Sequence, residues 1–225
     1  MRGWVTTAMF VAALLAPGPA RGMDFSSLPE RPVTHLDTLR AEMTRARIRF
    51  DGPRFADLAR EIRRLEPADL YPLREYAIRA MDCGGLEAAL ATLPPAGTGF
   101  LPAGLEVAEP EVEFLHALLQ YYRGRVATAL PHFDRALELR PGSAWTLYYR
   151  GRAKVVLWRP RAEWEADFQA ALRDPEVMPE VLSFLARERT IRSAAATEAR
   201  RLFLGRYAGP GLADDVAARL VEDSL

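Results

Sequence analysis

The stretch GRVATALPHFDRALELRP, residues 124–141, decides the fold. Small and apolar residues recur in it as Gly124, Val126, Ala129, Phe133, Ala136 and Pro141. From Val126 onward the spacing follows one face of a helix. Each residue type has a packing reason. Glycine ends the helix before it. Ala129 and Ala136 let the new helix approach a neighbour closely, Phe133 fills the space between them, and Pro141 stops the helix. The following segment, SAWTLYYRGRAKVVLWRPRAEWEADFQAALRDP at 143–175, repeats the arrangement with Gly151, Trp164, Phe168, Ala171 and Pro175, and carries a one-residue insertion around Pro160. From Pro141 to Pro175 is 34 residues.

Working outward, every long segment carries helical periodicity. None carries the period-two pattern of valine, isoleucine and threonine that marks strands. The expected helices lie near 34–50, 53–65, 69–83, 86–93, 111–123, 126–139, 143–158, 160–173, 176–190, 193–206 and 212–223. Thr34, Asp69, Ser143 and Ser193 are candidate N-caps, and Pro53, Pro110 and Pro160 suit a first helical turn. Gly52, Gly84 with Gly85, and Gly124 stand where glycine ends a helix. The proline- and glycine-rich run from Pro94 to Pro110 is the one obvious internal linker.

The two units at 111–175 resemble the tetratricopeptide repeat, whose period is about 34 residues. The resemblance implies an all-α fold, a short right-handed α-solenoid of helix-turn-helix repeats, because a lone repeat cannot bury its apolar face and needs stacked neighbours. Glu113, Gln120 and Lys154 depart from it, standing where a large apolar residue is usual. Upstream, residues 70–95 keep a helix–Gly–helix outline with Ala77, Ala89 and Leu93, and residues 35–67 keep only a generic helical hairpin. Downstream, 179–207 fits a fifth pair and 212–221 a capping helix. The expected organisation is a signal peptide at 1–22, degenerate hairpins and a loop at 23–109, the two clearest repeats at 110–175, and a helical pair with a cap at 176–225. The competing architecture is a non-repetitive helical bundle.

The amino terminus is expected to be an address. Arg2 precedes the thirteen-residue apolar stretch WVTTAMFVAALLA (4–16), Pro17 breaks it, and the small residues Gly18, Ala20 and Gly22 follow. That layout is a cleavable secretory signal, with cleavage after Ala20 or Gly22. The run is shorter than the ~20 residues of a spanning helix. The mature chain is therefore expected to be exported and periplasmic, with no stable membrane insertion after cleavage.

Lysine plus arginine and aspartate plus glutamate are 30 each, so no global field draws the chain to nucleic acid or an anionic membrane. Lys154 is the single lysine. Basic residues are not interleaved with aromatics in any local run, and nucleic acid is not expected as a partner. Cys83 is alone, which excludes an intramolecular disulfide, and it reads as a buried structural thiol.

Catalytic signatures are absent from the sequence: there is no GxSxG, phosphate loop, GxGxxG or CxxC. Glu113 and His116 have the Glu-x-x-His spacing of di-iron bundles, but a second such motif is missing, so no metal or cofactor is expected. His132 with Asp134, and His35 with Asp37, read as solvated pairs. The tetratricopeptide resemblance implies that first helices line a concave groove for an extended peptide or helix. Carried over by position, Phe114, Leu118, Tyr121, Trp145, Tyr148 and Arg152 would face that groove. Trp145, Tyr148 and Arg152 form a stripe at i, i+3 and i+7. The alternative is that these aromatics pack against neighbouring helices. Two functions stay open: an exported adaptor or scaffold for another envelope protein or peptide, and an envelope enzyme or enzyme subunit framed by the repeats.

Overall fold

The computed structural model describes residues 23, 34–94, 99–101, 104–188 and 194–206. The expected signal peptide at 1–22, the Ser193 cap and the capping helix near 212–223 lie outside them. The described residues form ten helices: α1 His35–Ile48, α2 Gly52–Leu65, α3 Tyr71–Asp82, α4 Leu86–Ala91, α5 Glu109–Tyr122, α6 Val126–Leu139, α7 Ala144–Val156, α8 Arg161–Ala171, α9 Met178–Arg187 and α10 Ala194–Arg206. They pair in sequence as hairpins, and first helices of neighbouring hairpins pack on each other, α1 on α3, α3 on α5 and α5 on α7.

One turn recurs at the end of four first helices. The residue after the C-cap donates its N–H to the carbonyl three back, and the next N–H reaches the carbonyl five back. The pairs are Phe50→Arg47 and Asp51→Ala46, Gly84→Met81 and Gly85→Ala80, Gly124→Tyr121 and Arg125→Gln120, and Trp158→Val155 and Arg159→Lys154. This pair of hydrogen bonds requires a left-handed residue. Phe50, Gly84, Gly124 and Trp158 supply it at φ of 56°, 67°, 80° and 54°. Phe50 to Gly84 and Gly124 to Trp158 are 34 residues each, and Gly84 to Gly124 is 40. Gly52 was expected to end a helix. Phe50 does so instead, and Gly52 opens α2 behind the Asp51 cap, whose carboxylate accepts the Arg54 N–H at 3.1 Å. A side chain in the left-handed region costs about 1–2 kcal/mol relative to glycine.

The turns set the register of packing. Five, nine and twelve residues beyond each left-handed position lie Phe55, Ala59 and Ile62 in α2, and Ala129, Phe133 and Ala136 in α6, all buried. In α8 the same roles fall one residue later, on Trp164, Phe168 and Ala171, which is the insertion at Pro160. Seven residues before each left-handed position stand Met43, Ala77, Ala117 and Gly151, all buried. The hairpin at α1–α2, generic by sequence, thus belongs to the same tetratricopeptide-like series. A Cβ on Gly151 would meet Phe168 Cε1 at 2.7 Å, so α7 and α8 touch where only glycine fits.

The 94–110 segment departs from the expected plain loop. Gly99–Phe100 (β1) and Glu106–Val107 (β2) form a two-residue antiparallel ribbon, too short for any alternating pattern to show in sequence. Buried Leu101, Leu105 and Val107 seat it. Arg63 bridges it to α5, donating to the Glu106 carbonyl at 3.0 Å and to both Glu111 oxygens at 2.8 and 2.9 Å. Burial pushes the Glu111 carboxyl up, but Arg63, the Ala108 N–H and Arg140 outweigh it and hold it below the ordinary carboxylate range.

Thr34 caps α1 in a reciprocal box with Asp37. Ser143 stands at the α7 cap position, its hydroxyl bonded to Thr146 at 2.8 Å. Asp69 lies one residue outside the α3 cap, Leu70, because its carboxylate accepts the Tyr71 N–H and pairs with Arg40. Pro160 precedes α8 as its cap residue. Cys83 is exposed, contrary to the buried thiol expected, because it caps α3 on the outside of the turn.

Gly151→Ala forces α7 from α8 and is expected to cost about 1–3 kcal/mol in urea unfolding. An unchanged midpoint would contradict the close approach at Phe168.

Candidate interaction surface

The first helices α1, α3, α5 and α7, together with α9, bring their side chains together on the inner face. Sequence reasoning placed Phe114, Leu118, Tyr121, Trp145, Tyr148 and Arg152 on an open groove. Four of them are core residues instead: Phe114 and Leu118 are fully buried, and Trp145 and Tyr148 are 7% and 3% exposed. Tyr121 and Arg152 are half-buried.

The physical reason is ring size. Trp145 meets Tyr71 edge-on at 6.0 Å and Tyr148 at 6.1 Å, while Tyr148 also contacts Tyr149, Phe168 and Phe184. These rings fill the space that smaller residues would leave open. Long side chains then reach over it. Arg40 of α1 donates to Glu176 at 2.5 Å, just ahead of α9, and Arg74 of α3 to Glu180 of α9 at 3.4 Å. Trp145, Tyr148 and Arg152 do share one face of α7, but that face points inward.

Arg74 centres the filled part. Its guanidinium lies 5.5 Å from the Tyr71 ring and 5.3 Å from the Trp145 ring. It donates to Glu75 at 2.6 Å and to the Tyr149 hydroxyl at 3.0 Å, and Tyr149 pairs with the Tyr122 hydroxyl at 2.8 Å. Glu75, almost fully buried, also accepts from Arg47 at 2.8 Å. Burial, reinforced by Glu75, raises the Tyr71 hydroxyl to about 12. Burial and the neighbouring Tyr149 likewise hold Tyr122 far above the usual phenol range, so these groups act as neutral hydrogen-bonding dipoles. Sequence reading left Tyr149 and Arg74 out of the groove set. The two partners lie 75 positions apart, and no local pattern marks that separation.

Arg152 is held differently. Its guanidinium carbon sits over the rings of Tyr121, Tyr148, Tyr149 and Phe184 at 5.3, 5.4, 5.3 and 5.0 Å. It donates a long bond to the Tyr148 hydroxyl, 3.4 Å, and its buried Nε has no partner. No carboxylate pairs with it among the described residues. Burial alone would lower its pKa, yet the tyrosines, Tyr148 foremost, hold it above the ordinary value, so it stays a cation. Ring faces stabilise it as a negative potential would.

A second polar group lies between α5 and α6. The His116 and His132 rings are 4.0 Å apart, and His132 Nδ1 is 2.7 Å from Glu113. His132 therefore joins the Glu113–His116 face rather than standing solvated beside Asp134, a contact that depends on hairpin closure. Burial, with His132 second, lowers the His116 pKa. No group of three metal-ligating side chains converges among the described residues, and no described helix is long and apolar enough to cross a membrane.

No family model matches the chain, and no curated protein matches it. Among solved structures the fold is similar to the crystal structure of MamA, at 12% identity over 86% of this chain and 95% of that one, with a TM-score of 0.39. It is also similar to the crystal structure of TTC0263, a thermophilic TPR protein of Thermus thermophilus, at 16% identity over 82% of this chain and 98% of that one, with a TM-score of 0.45.

Because Trp145 and Tyr148 are core residues, Trp145→Ala is expected to destabilise the fold by about 3–5 kcal/mol, and the double change with Tyr148→Ala by more. Circular dichroism melts check this, and a double variant melting like the parent would return both rings to the open surface.

Proposed function

We propose that this chain is an exported helical-repeat scaffold whose inner face holds a protein partner through a carboxylate presented to Arg152. The observation that carries the reading is the pairing of the arginines. Arg40, Arg47, Arg63, Arg74 and Arg150 each meet an almost fully buried carboxylate. Among the described residues Arg152 meets aromatic rings and tyrosine hydroxyls but no carboxylate, and it retains exposure. A guanidinium already fixed on aromatic faces loses little freedom when a carboxylate arrives, so more of the new charge-assisted bond survives as affinity. Tyr121, also half-buried, stands beside it as an amphipathic contact. The filled remainder of the groove makes this a local anchor point rather than a channel for a long peptide.

Arg152→Gln is expected to cost about 2–5 kcal/mol of partner binding, the range for truncating one member of a desolvated charge pair. Crosslinking pull-downs from the native envelope, run with parent and variant and beside circular dichroism, measure it. Equal recovery of the same stoichiometric partner by a folded variant sinks the assignment.

Export is supported by Arg2, the apolar run to Ala16 and the small residues before Met23. Mass spectrometry of native protein is expected to find a chain beginning at Arg21 or Met23. An intact Met1 terminus recovered with membranes overturns that part.

A further inference from the structure

Phe50 and Trp158 occupy the left-handed turn position that Gly84 and Gly124 fill without strain, and both rings stand in solvent, 62% and 80% exposed. Each follows an exposed β-branched residue by two positions, Ile48 and Val156. Backbone strain kept at two equivalent turns, each presenting an aromatic outward, points to a role for the side chains themselves.

The four turns lie along one edge of the array. Arg47 near the first turn pairs with Asp82 at the second, and Arg123 at the third pairs with Glu87 just past the second. Arg152 of α7 stacks on Tyr121 of α5, which sets the C-terminal ends of those helices side by side. The same edge carries Arg49, Arg125 and Arg159, exposed and without an acidic partner among the described residues. Of its acids, Asp82 and Glu87 are engaged in the pairs above and Asp51 caps α2, while Glu163 keeps an exposed carboxylate beside the fourth turn. The edge therefore presents separated apolar tips, each flanked by guanidinium.

We propose that this edge docks on an anionic phospholipid surface, with Trp158 and Phe50 entering the headgroup layer and Arg49, Arg125 and Arg159 meeting lipid phosphates. Aromatic rings with a wet and a dry side partition to that layer, and arginines beside them add attraction that salt screens. Isolated tips suit a soft interface. A folded partner would need a contiguous buried patch at its centre, which single protruding rings do not offer. This inference is independent of the inner-face reading, since Phe50 and Trp158 make none of the ring contacts that hold Arg152 and can be changed without touching it.

The test uses the full chain, its Phe50→Gly/Trp158→Gly variant, and vesicles of phosphatidylcholine with or without roughly one-third phosphatidylglycerol. Glycine suits both positions, so the variant is expected to melt at or above the parent temperature. Trp158 emission, isolated as the difference between the parent and Trp158→Gly, is expected to shift to the blue with anionic vesicles. Sedimentation with them is expected to fall by about tenfold or more in the double variant. A Trp158 signal unmoved by anionic vesicles, or equal sedimentation of parent and variant, overturns the proposal. A two-chain mass in solution that the glycine variant reduces to one chain also overturns it and assigns the edge to a second copy.

Discussion

The left-handed residue that ends the first helices α1, α3, α5 and α7 is the constraint on which the remaining structure depends. It closes the same pair of backbone bonds at 50, 84, 124 and 158, and so fixes where the second helix starts. Once that start is fixed, the second helix is set against the buried residue seven positions before the turn, most closely at Gly151 against Phe168. Glycine is the relaxed solution at 84 and 124. At 50 and 158 the hydrogen bonding is unchanged although the residue is aromatic, which shows that the turn is imposed by hairpin packing and not by the residue occupying it.

The inner face shows what large residues do to a repeat array. A tetratricopeptide-like arrangement with small inner residues leaves a groove, whereas Tyr71, Trp145, Tyr148 and Tyr149 close most of this one. Burying that many rings brings arginines into low dielectric, and the fold handles them in two ways. Arg40, Arg47 and Arg74 are matched with carboxylates, so desolvation is offset by close charge pairs. Arg152 is matched with ring faces, which stabilise a cation while leaving its buried Nε donor without a partner. That difference lets Arg152 gain more from an incoming anion than its paired neighbours can.

Charge balance over the whole chain conceals how charge is distributed. Thirty acids and thirty bases give no net field. Yet the hairpins place many acids against arginines in the interior or along helix faces. Arg49, Arg125 and Arg159 are left along one edge without an acidic partner among the described residues. A composition count sums over distance, whereas docking responds to charges within a Debye length.

The sequence by itself determined the helical class and the 34-residue period, and it singled out Ala129, Phe133, Ala136, Phe168 and Ala171, all buried, because these follow from spacing along one chain segment. Gly151, read there as the counterpart of helix-ending Gly124, lies inside α7 against Phe168, and Trp158 takes the turn position. The sequence also located the insertion at Pro160. It left α1–α2 as a generic hairpin because the expected glycine signal is replaced there by Phe50. Only the tertiary structure decided which side of the α7 stripe faces inward, since helical spacing gives a face but not its direction. The bonds from Arg74 to Tyr149 and Glu180, and from Arg40 to Glu176, join positions 75 to 136 residues apart. They exist because stacked hairpins curve the inner helices toward one another, a consequence of packing that no local pattern encodes.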